Sequence, residues 1–263
     1  MRTHSQAVQE QFDTQAQAYL TSAVHAAGPD LRAAHDEARH RLKPAASILD
    51  VGTGAGHLSF VLAPLAARVV ALDPSPGMLA TVRDAATARG LQQIETCEGS
   101  ADALPFADAS FDLVCTRYSA HHWLHVPQAL AQLRRVVRPD GFVLIIDLLG
   151  DDEPLVDTYL QSIELLRDTS HVRDRTIAEW QALLCAAGFD PLEQRVWNTR
   201  LEFGPWVSRM RTPAGLVAAI RTLQACAAAE VRRSLNIEAD GSFTARTGLF
   251  WGRPAIPKAG SLR

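Results

Sequence analysis

Three carboxylates and a glycine-rich turn stand at regular intervals in the first half of the chain. Asp50 leads directly into Val51-Gly52-Thr53-Gly54-Ala55-Gly56, Asp73 follows 21 residues after Gly52, and Asp102 lies in the run Gly99-Ser100-Ala101-Asp102. Glycine disfavours the interiors of strands and helices, so three glycines within five positions need a reason. Close approach of a ligand to the backbone at the carboxyl end of a strand supplies one: Gly52 and Gly54 clear the space, and Gly56 lets the next helix start tightly against the strand. Further on, Arg117-Tyr118-Ser119-Ala120-His121-His122-Trp123 carries two adjacent imidazoles, the side chain best suited to moving protons near neutral pH.

The spacing is G-x-G-x-G, with His57 where a dinucleotide fingerprint would place its third glycine. A pyrophosphate would sit at the helix N-terminus, and an acid at Asp50 would repel it. The same acid attracts an ammonium, directly or through water. Asp73 is placed to accept both hydroxyls of a ribose. Asp102 can accept from an adenine amine, with Met78 against the base, although Met78 taken alone suits a helix core better. An ammonium, a ribose and an adenine together specify S-adenosylmethionine (SAM). A nicotinamide-dependent oxidoreductase shares Asp73 and is the alternative enzyme reading. A SAM-binding module without turnover is the alternative of a different class.

Methyl transfer is an in-line displacement, so a protein must position the nucleophile and, where needed, remove its proton. One of the histidine pair, His122 in preference to His121, is expected to bind or deprotonate the acceptor. Tyr19, His25, Trp206 and Arg209 are further candidate contacts. The acceptor is expected to be a small molecule, quinone-like, phenolic or another secondary metabolite, with carbon, oxygen and nitrogen all open as the methylated atom.

The elements needed to position these groups follow from the apolar rhythm. Strands are expected at 47–51, 68–72, 94–98, 111–116 and 142–146, and helices at 56–66, 76–89 and 126–137, with Gly90 and Pro139-Asp140-Gly141 as stop signals. Alternation of this kind gives an α/β fold with a parallel sheet and helices on both faces. The three acidic elements then fall at the carboxyl ends of the first three strands, where open α/β sheets bind ligands. Outside this core, 6–42 reads as helical, 176–187 as a helix, 189–203 as strand-like, 214–235 as an alanine-rich helix and 242–251 as a last strand. The expected division is an N-terminal helical arm or lid over 1–43 and a cofactor domain over 44–263, with a helical insertion at about 205–236.

With 47% hydrophobic and 21% charged residues in 263, the chain has a globular composition. A net charge of −3 gives no broad cationic surface for nucleic acid. The four cysteines form no C-x-x-C pair, so no metal site is expected. A polar N-terminal stretch and the lack of a long apolar run point away from export and membrane insertion and toward a cytoplasmic protein. A monomer and a homodimer both stay open.

Residues 48–56, 69–78, 100–106, 110–123 and 137–147 resemble, in order, the successive motifs of class I SAM-dependent methyltransferases, particularly the ubiquinone/menaquinone C-methyltransferase-like family. The flanks look like an uncharacterised bacterial branch of it. The resemblance implies a Rossmann-like seven-stranded sheet, mostly parallel with the last strand antiparallel, plus a helical lid. It also implies SAM contacts from Gly52, Asp73, Met78, Ala101, Asp102 and the turn at Arg117. The expected cofactor set is Tyr19 in the arm and Asp50, Gly52, Thr53, Gly54 and Gly56 in the first turn. Asp73, Pro74 and Met78 join it after the second strand, Ser100, Ala101 and Asp102 after the third, and Arg117 after the fourth.

Overall fold

Alternating apolar residues become strands buried on both faces. In β1 (Ala46–Val51), Leu49 and Val51 point to one layer of helices and Ile48 to the other, and every one of them is inaccessible to solvent. This two-sided burial is what a parallel sheet between helices requires. The other strands are β2 (Ala66–Asp73), β3 (Ile94–Glu98), β4 (Phe111–Arg117), β5 (Val137–Leu149), β6 (Phe189–Leu201) and β7 (Phe243–Pro254). They form one sheet in the order β3-β2-β1-β4-β5-β7-β6. The pairs among β1 to β5 are parallel, while β7 runs antiparallel between β5 and β6. The computed structural model describes residues 3–13, 20 and 28–256. Tyr19 and His25 lie outside the described residues.

Ten α-helices are named among the described residues. They are α1 (His4–Asp13), α2 (Pro29–Arg41), α3 (His57–Leu62), α4 (Pro76–Ala88), α5 (Val126–Val136), α6 (Pro154–Arg167), α7 (Ile177–Ala186), α8 (Phe203–Arg209), α9 (Ala214–Cys226) and α10 (Ala229–Ser234). Leu130 and Leu133 of α5 and Trp180 and Leu184 of α7 cover one face of the sheet. Leu31, Ala34 and Ala38 of α2 and Leu58 and Leu62 of α3 cover the other. Helices α8 and α9 pack as a separate cluster in which Trp206 and Ile220, with Phe243 of β7, meet Leu160 and Ile163 of α6, while Val231 of α10 packs on Val156 of α6.

Several expected boundaries move. The stretch expected as helix over 6–42 contains two described helices, the second opened by Pro29 at its first turn, where proline's missing N–H costs no hydrogen bond. Pro139-Asp140-Gly141 lies inside β5: pairing steps from Phe111 opposite Val137 to Leu113 opposite Phe142, and the extra residues bulge out. Gly141 permits this, because a Cβ there would stand 2.7 Å from the Asp112 carbonyl oxygen. The helix expected over 214–235 breaks at Ala227 and Ala228, both extended. Helix α6 was not anticipated, although Val156, Leu160 and Ile163 bury a face at helical spacing. No helix among the described residues is long and apolar enough to cross a membrane.

Candidate active site

A cleft of about 200 Å³ opens at the carboxyl ends of β1, β2, β3 and β4. Its floor is the glycine turn. The N–H groups of Gly52 and Thr53 both donate to the Leu72 carbonyl, at 2.8 and 3.0 Å, which ties the turn to β2. Asp50 is fully buried beneath it, and its Oδ2 accepts from Thr53 Oγ1 (2.8 Å), Ser59 Oγ (2.7 Å) and the Ser59 N–H (3.1 Å). Oδ1 has no partner among the described residues. Burial raises the Asp50 carboxyl above its ordinary range, against the pull of these hydrogen bonds and of Arg117. Asp50 thus also organises the turn and the start of α3, a role visible only once Ser59 is placed beside it.

The three glycines divide their labour. A Cβ on Gly54 would meet nothing within 4 Å, so this position faces the open cleft. A Cβ on Gly56 would stand 2.8 Å from the Phe60 ring and 3.0 Å from Val82. Gly56 does not line the cleft; it lets α3 and α4 close behind the turn. Thr53, Asp73, Pro74, Met78, Ser100, Ala101, Asp102 and Arg117 all do line it.

Asp73 ends β2 with Oδ2 on the Gly54 N–H and Oδ1 on the Ser75 N–H, both at 2.9 Å. Ser75 caps α4 by accepting from the Met78 N–H, and its hydroxyl is bonded to Asp13 of α1. Asp13 Oδ1 also accepts from the Gly77 N–H at 3.2 Å. The arm helix is therefore fastened beside the acid expected to hold a ribose. Burial pushes the Asp73 carboxyl up to about 6, with Asp50 and Asp13 adding to the rise and the two N–H donors opposing it. The unfolded chain ionises this group near 3.8, so its contribution to stability falls as pH rises from about 4 to 6. The ribose contact expected of Asp73 needs the carboxylate. Affinity for S-adenosylhomocysteine should therefore be constant above pH 7 and weaken by up to about tenfold per unit below 6. Calorimetric titration across this range checks it, and Asp73→Asn should flatten the profile.

Toward the third strand, Ser100 Oγ donates to Asp102 Oδ1 at 2.5 Å and steadies the carboxylate at the cleft edge. Met78 is buried against Ala55, Phe12 and Leu20 and also lines the cleft, so the core and ligand readings of this residue coincide. On the opposite side, Arg117 Nε donates to Asp30 of α2 at 2.5 Å, and its guanidinium lies 4.5 Å from the centre of the Tyr118 ring. Tyr118 has φ of +52°, a conformation a bulky residue adopts only when its surroundings enforce it. Its N–H bonds the Ile146 carbonyl at 2.8 Å.

The two histidines part company. His121 Nδ1 is 2.6 Å from Asp147 Oδ1 at the end of β5, and its N–H donates to Asp147 Oδ2 at 3.0 Å. Burial would lower the His121 pKa, but the Asp147 charge and hydrogen bond, with Asp174 and Glu164 behind, hold it up at about 9. His121 is therefore a cation at neutral pH. His122 Nδ1 lies 3.0 Å from the Ser170 carbonyl, which can only accept, so this nitrogen carries the proton. Burial and the neighbouring charge of His121, 4.2 Å away between ring centres, push His122 down to about 4. Its Nε2 is thus a neutral lone pair.

A smaller chamber of about 60 Å³ adjoins the cleft. Phe12, Tyr118 and His122 line both spaces, and His121 lines only the smaller one. The chamber's remaining wall includes Leu148, Arg167, Asp168, Thr199, Trp206 and Arg209. Of these, the sequence pointed only to Trp206 and Arg209. Asp13, Asp30, Ser59, Asp147, Asp168 and Ser170 were not singled out, since each acquires its role through a partner distant in the chain.

The cleft meets the demands of SAM on its own chemistry. An open glycine position abuts the turn, a carboxylate stands at the end of β2, an unpartnered buried carboxylate oxygen lies beneath the turn, and Asp102 sits at the far edge. Comparison with known proteins agrees. The methyltransferase domain family matches residues 49–145. The uncharacterised Escherichia coli protein YafE is 44% identical over 193 residues, covering 73% of this chain and 93% of its own length. The Bacillus subtilis uncharacterised methyltransferase YcgJ is 32% identical over 207 residues, covering 77% and 79%. The crystal structure of YcgJ superposes with a TM-score of 0.82 at 29% identity, over 86% of this chain and 98% of that one. Fold, cleft and relatives lead to one conclusion: the chain belongs to the class I SAM-dependent methyltransferases.

Proposed function

We propose that SAM lies along the glycine turn with its ribose on Asp73 and its adenine toward Asp102 and Met78, and that a small-molecule acceptor occupies the adjoining chamber. The observation that carries this reading is the shared wall: among the described residues, Phe12, Tyr118 and His122 line both spaces. SAM supplies an electrophilic methyl group on a sulfonium. The protein's own task is then to orient the acceptor, exclude water and receive its proton. His122, neutral and with Nε2 uncommitted, is the base; cationic His121 fixes the orientation of the turn that carries it. The arm helix α1, which lines the cleft through His4, Val8 and Phe12 and is fastened by Asp13, acts with α8 as the lid.

Substituting each histidine by glutamine tests the roles. His122→Gln should lower turnover by about a hundredfold, within the usual range for loss of a general base, while S-adenosylhomocysteine affinity stays within threefold. His121→Gln should act mainly through stability. A labelled-methyl assay against quinones, phenols, amines and carboxylates reads both, and undiminished turnover in both variants ends the assignment.

A further inference from the structure

Opposite His122 Nε2, at 3.9 Å, lies Oδ2 of Asp168 in the loop after α6. Asp168 is 3% exposed, and its other oxygen accepts from the Ser170 N–H (2.9 Å) and Ser170 Oγ (2.6 Å). Ser170 also accepts from His122 Nδ1 through its carbonyl, so one residue orients both groups. Neither Nε2 nor Oδ2 makes a hydrogen bond within the described residues. The result is a pair of acceptors, both lining the small chamber, beside the wall it shares with the cofactor cleft.

We propose that His122 Nε2 and Asp168 Oδ2 form a two-acceptor cradle for an amino group, so that the methyl acceptor is an amine and the enzyme an N-methyltransferase. This rests on the methyltransferase reading above. Two acceptors 3.9 Å apart can both reach one donor atom at about 2.9 Å, with an angle of about 85° at that atom. A primary amine supplies two N–H bonds about 107° apart, so each hydrogen bond bends by only about 11°, and its lone pair then points away from both acceptors. A hydroxyl has one proton and would leave one acceptor facing a lone pair. A carbon nucleophile offers neither.

The surroundings favour the same protonation states. From the turn comes cationic His121, held by Asp147 of β5. From α1 comes His4, whose Nε2 is 3.0 Å from the His122 carbonyl. Helix α6 contributes Arg167, 3.3 Å from Glu164, and α8 contributes Arg209 to the chamber wall. The loop after α6 adds Asp174 and His171, with His171 Nε2 on Gln161 at 2.9 Å. Burial alone would raise the Asp168 carboxyl, but the two Ser170 hydrogen bonds and Arg167 hold it down, so it is ionised while His122 stays neutral.

The incoming ammonium first gives one proton to water; the neutral amine then attacks, the carbon–nitrogen bond forming as the carbon–sulfur bond breaks, and sulfur leaves as the neutral thioether. The new ammonium releases one proton to His122 Nε2, and the imidazolium so formed faces the Asp168 carboxylate until water removes the proton.

Methylammonium, titrated at pH 7.5 into the S-adenosylhomocysteine complex of histidine-labelled protein, tests the cradle. A saturable shift of the His122 Nε2 resonance is expected, absent with methanol and weakened at least tenfold in Asp168→Asn. Ser170→Ala, which keeps both acceptors but loosens them, should weaken it a few-fold. No shift with methylammonium, an equal shift with methanol, or an undiminished shift in folded Asp168→Asn overturns the proposal. Failure of the wild-type protein to bind S-adenosylhomocysteine in the same samples would instead overturn the cofactor reading.

Discussion

Gly52→Ala is expected to weaken S-adenosylhomocysteine binding by at least a hundredfold, about 2.7 kcal/mol, and to destabilise the fold by about 2–4 kcal/mol. The added Cβ would stand 1.9 Å from Ser119 Oγ and 2.7 Å from Ser119 Cβ. Ser119 cannot simply rotate away, because its hydroxyl accepts from Trp123 Nε1 at 3.2 Å. The backbone is also at φ of +67°, where an L side chain adds roughly 1–2 kcal/mol of its own. Gly54→Ala separates binding from folding. Its Cβ meets no atom of the described residues within 4 Å, so unfolding should change by only about the backbone term, yet the methyl group projects into the space assigned to the ligand. Denaturant unfolding and calorimetric titration of the two variants check both statements. Unchanged affinity in Gly54→Ala would move the cofactor off this turn.

The second large effect is at Asp147. Asp147→Ala should cost about 3–5 kcal/mol, the usual range for breaking a buried pair from one side. The loss strands His121 Nδ1 together with the N–H groups of His121 and Leu148, all now bonded to this carboxylate. The pair also has a pH signature. His121 is held at about 9 when folded against 6.5 when unfolded, so its contribution is full below pH 6.5 and is lost as pH rises through 9. The difference corresponds to a few kcal/mol at most. Urea unfolding at pH 6 and pH 9.5 should therefore show a gap in the parent protein that Asp147→Asn removes. An equal gap in that variant would locate the titration elsewhere.

What could be read from sequence was what is local. Asp50, Gly52 and Gly54 act within one strand and its turn, and Asp73 lies one βαβ unit on, at a distance fixed by helix and strand lengths. Each is found at the cleft. Apolar alternation likewise located β1 to β4 to within a few residues. Asp168 and Ser170 were invisible because their partner, His122, is nearly fifty residues away and no repeat or periodicity links them. Asp13 meets Ser75 across a similar gap. Helix α6 escaped notice although Pro154 follows Asp151, Asp152 and Glu153, an ordinary helix start. In β5 a genuine turn signal, Pro139-Asp140-Gly141, was overridden by pairing on either side of it.

The order of strands draws the cleft and much of the chamber wall from different stretches of one chain. Everything placed at the cofactor cleft by β1 to β4 falls within or close to residues 49–145, the stretch shared with the methyltransferase family. Arg167, Asp168, Thr199, Leu201, Trp206 and Arg209 of the second chamber all come later in the chain, from α6, β6 and α8. On the proposed seating of the acceptor in that chamber, laboratory grafting in 150–235 is expected to recast which molecule is modified while leaving the methyl donor's seat intact.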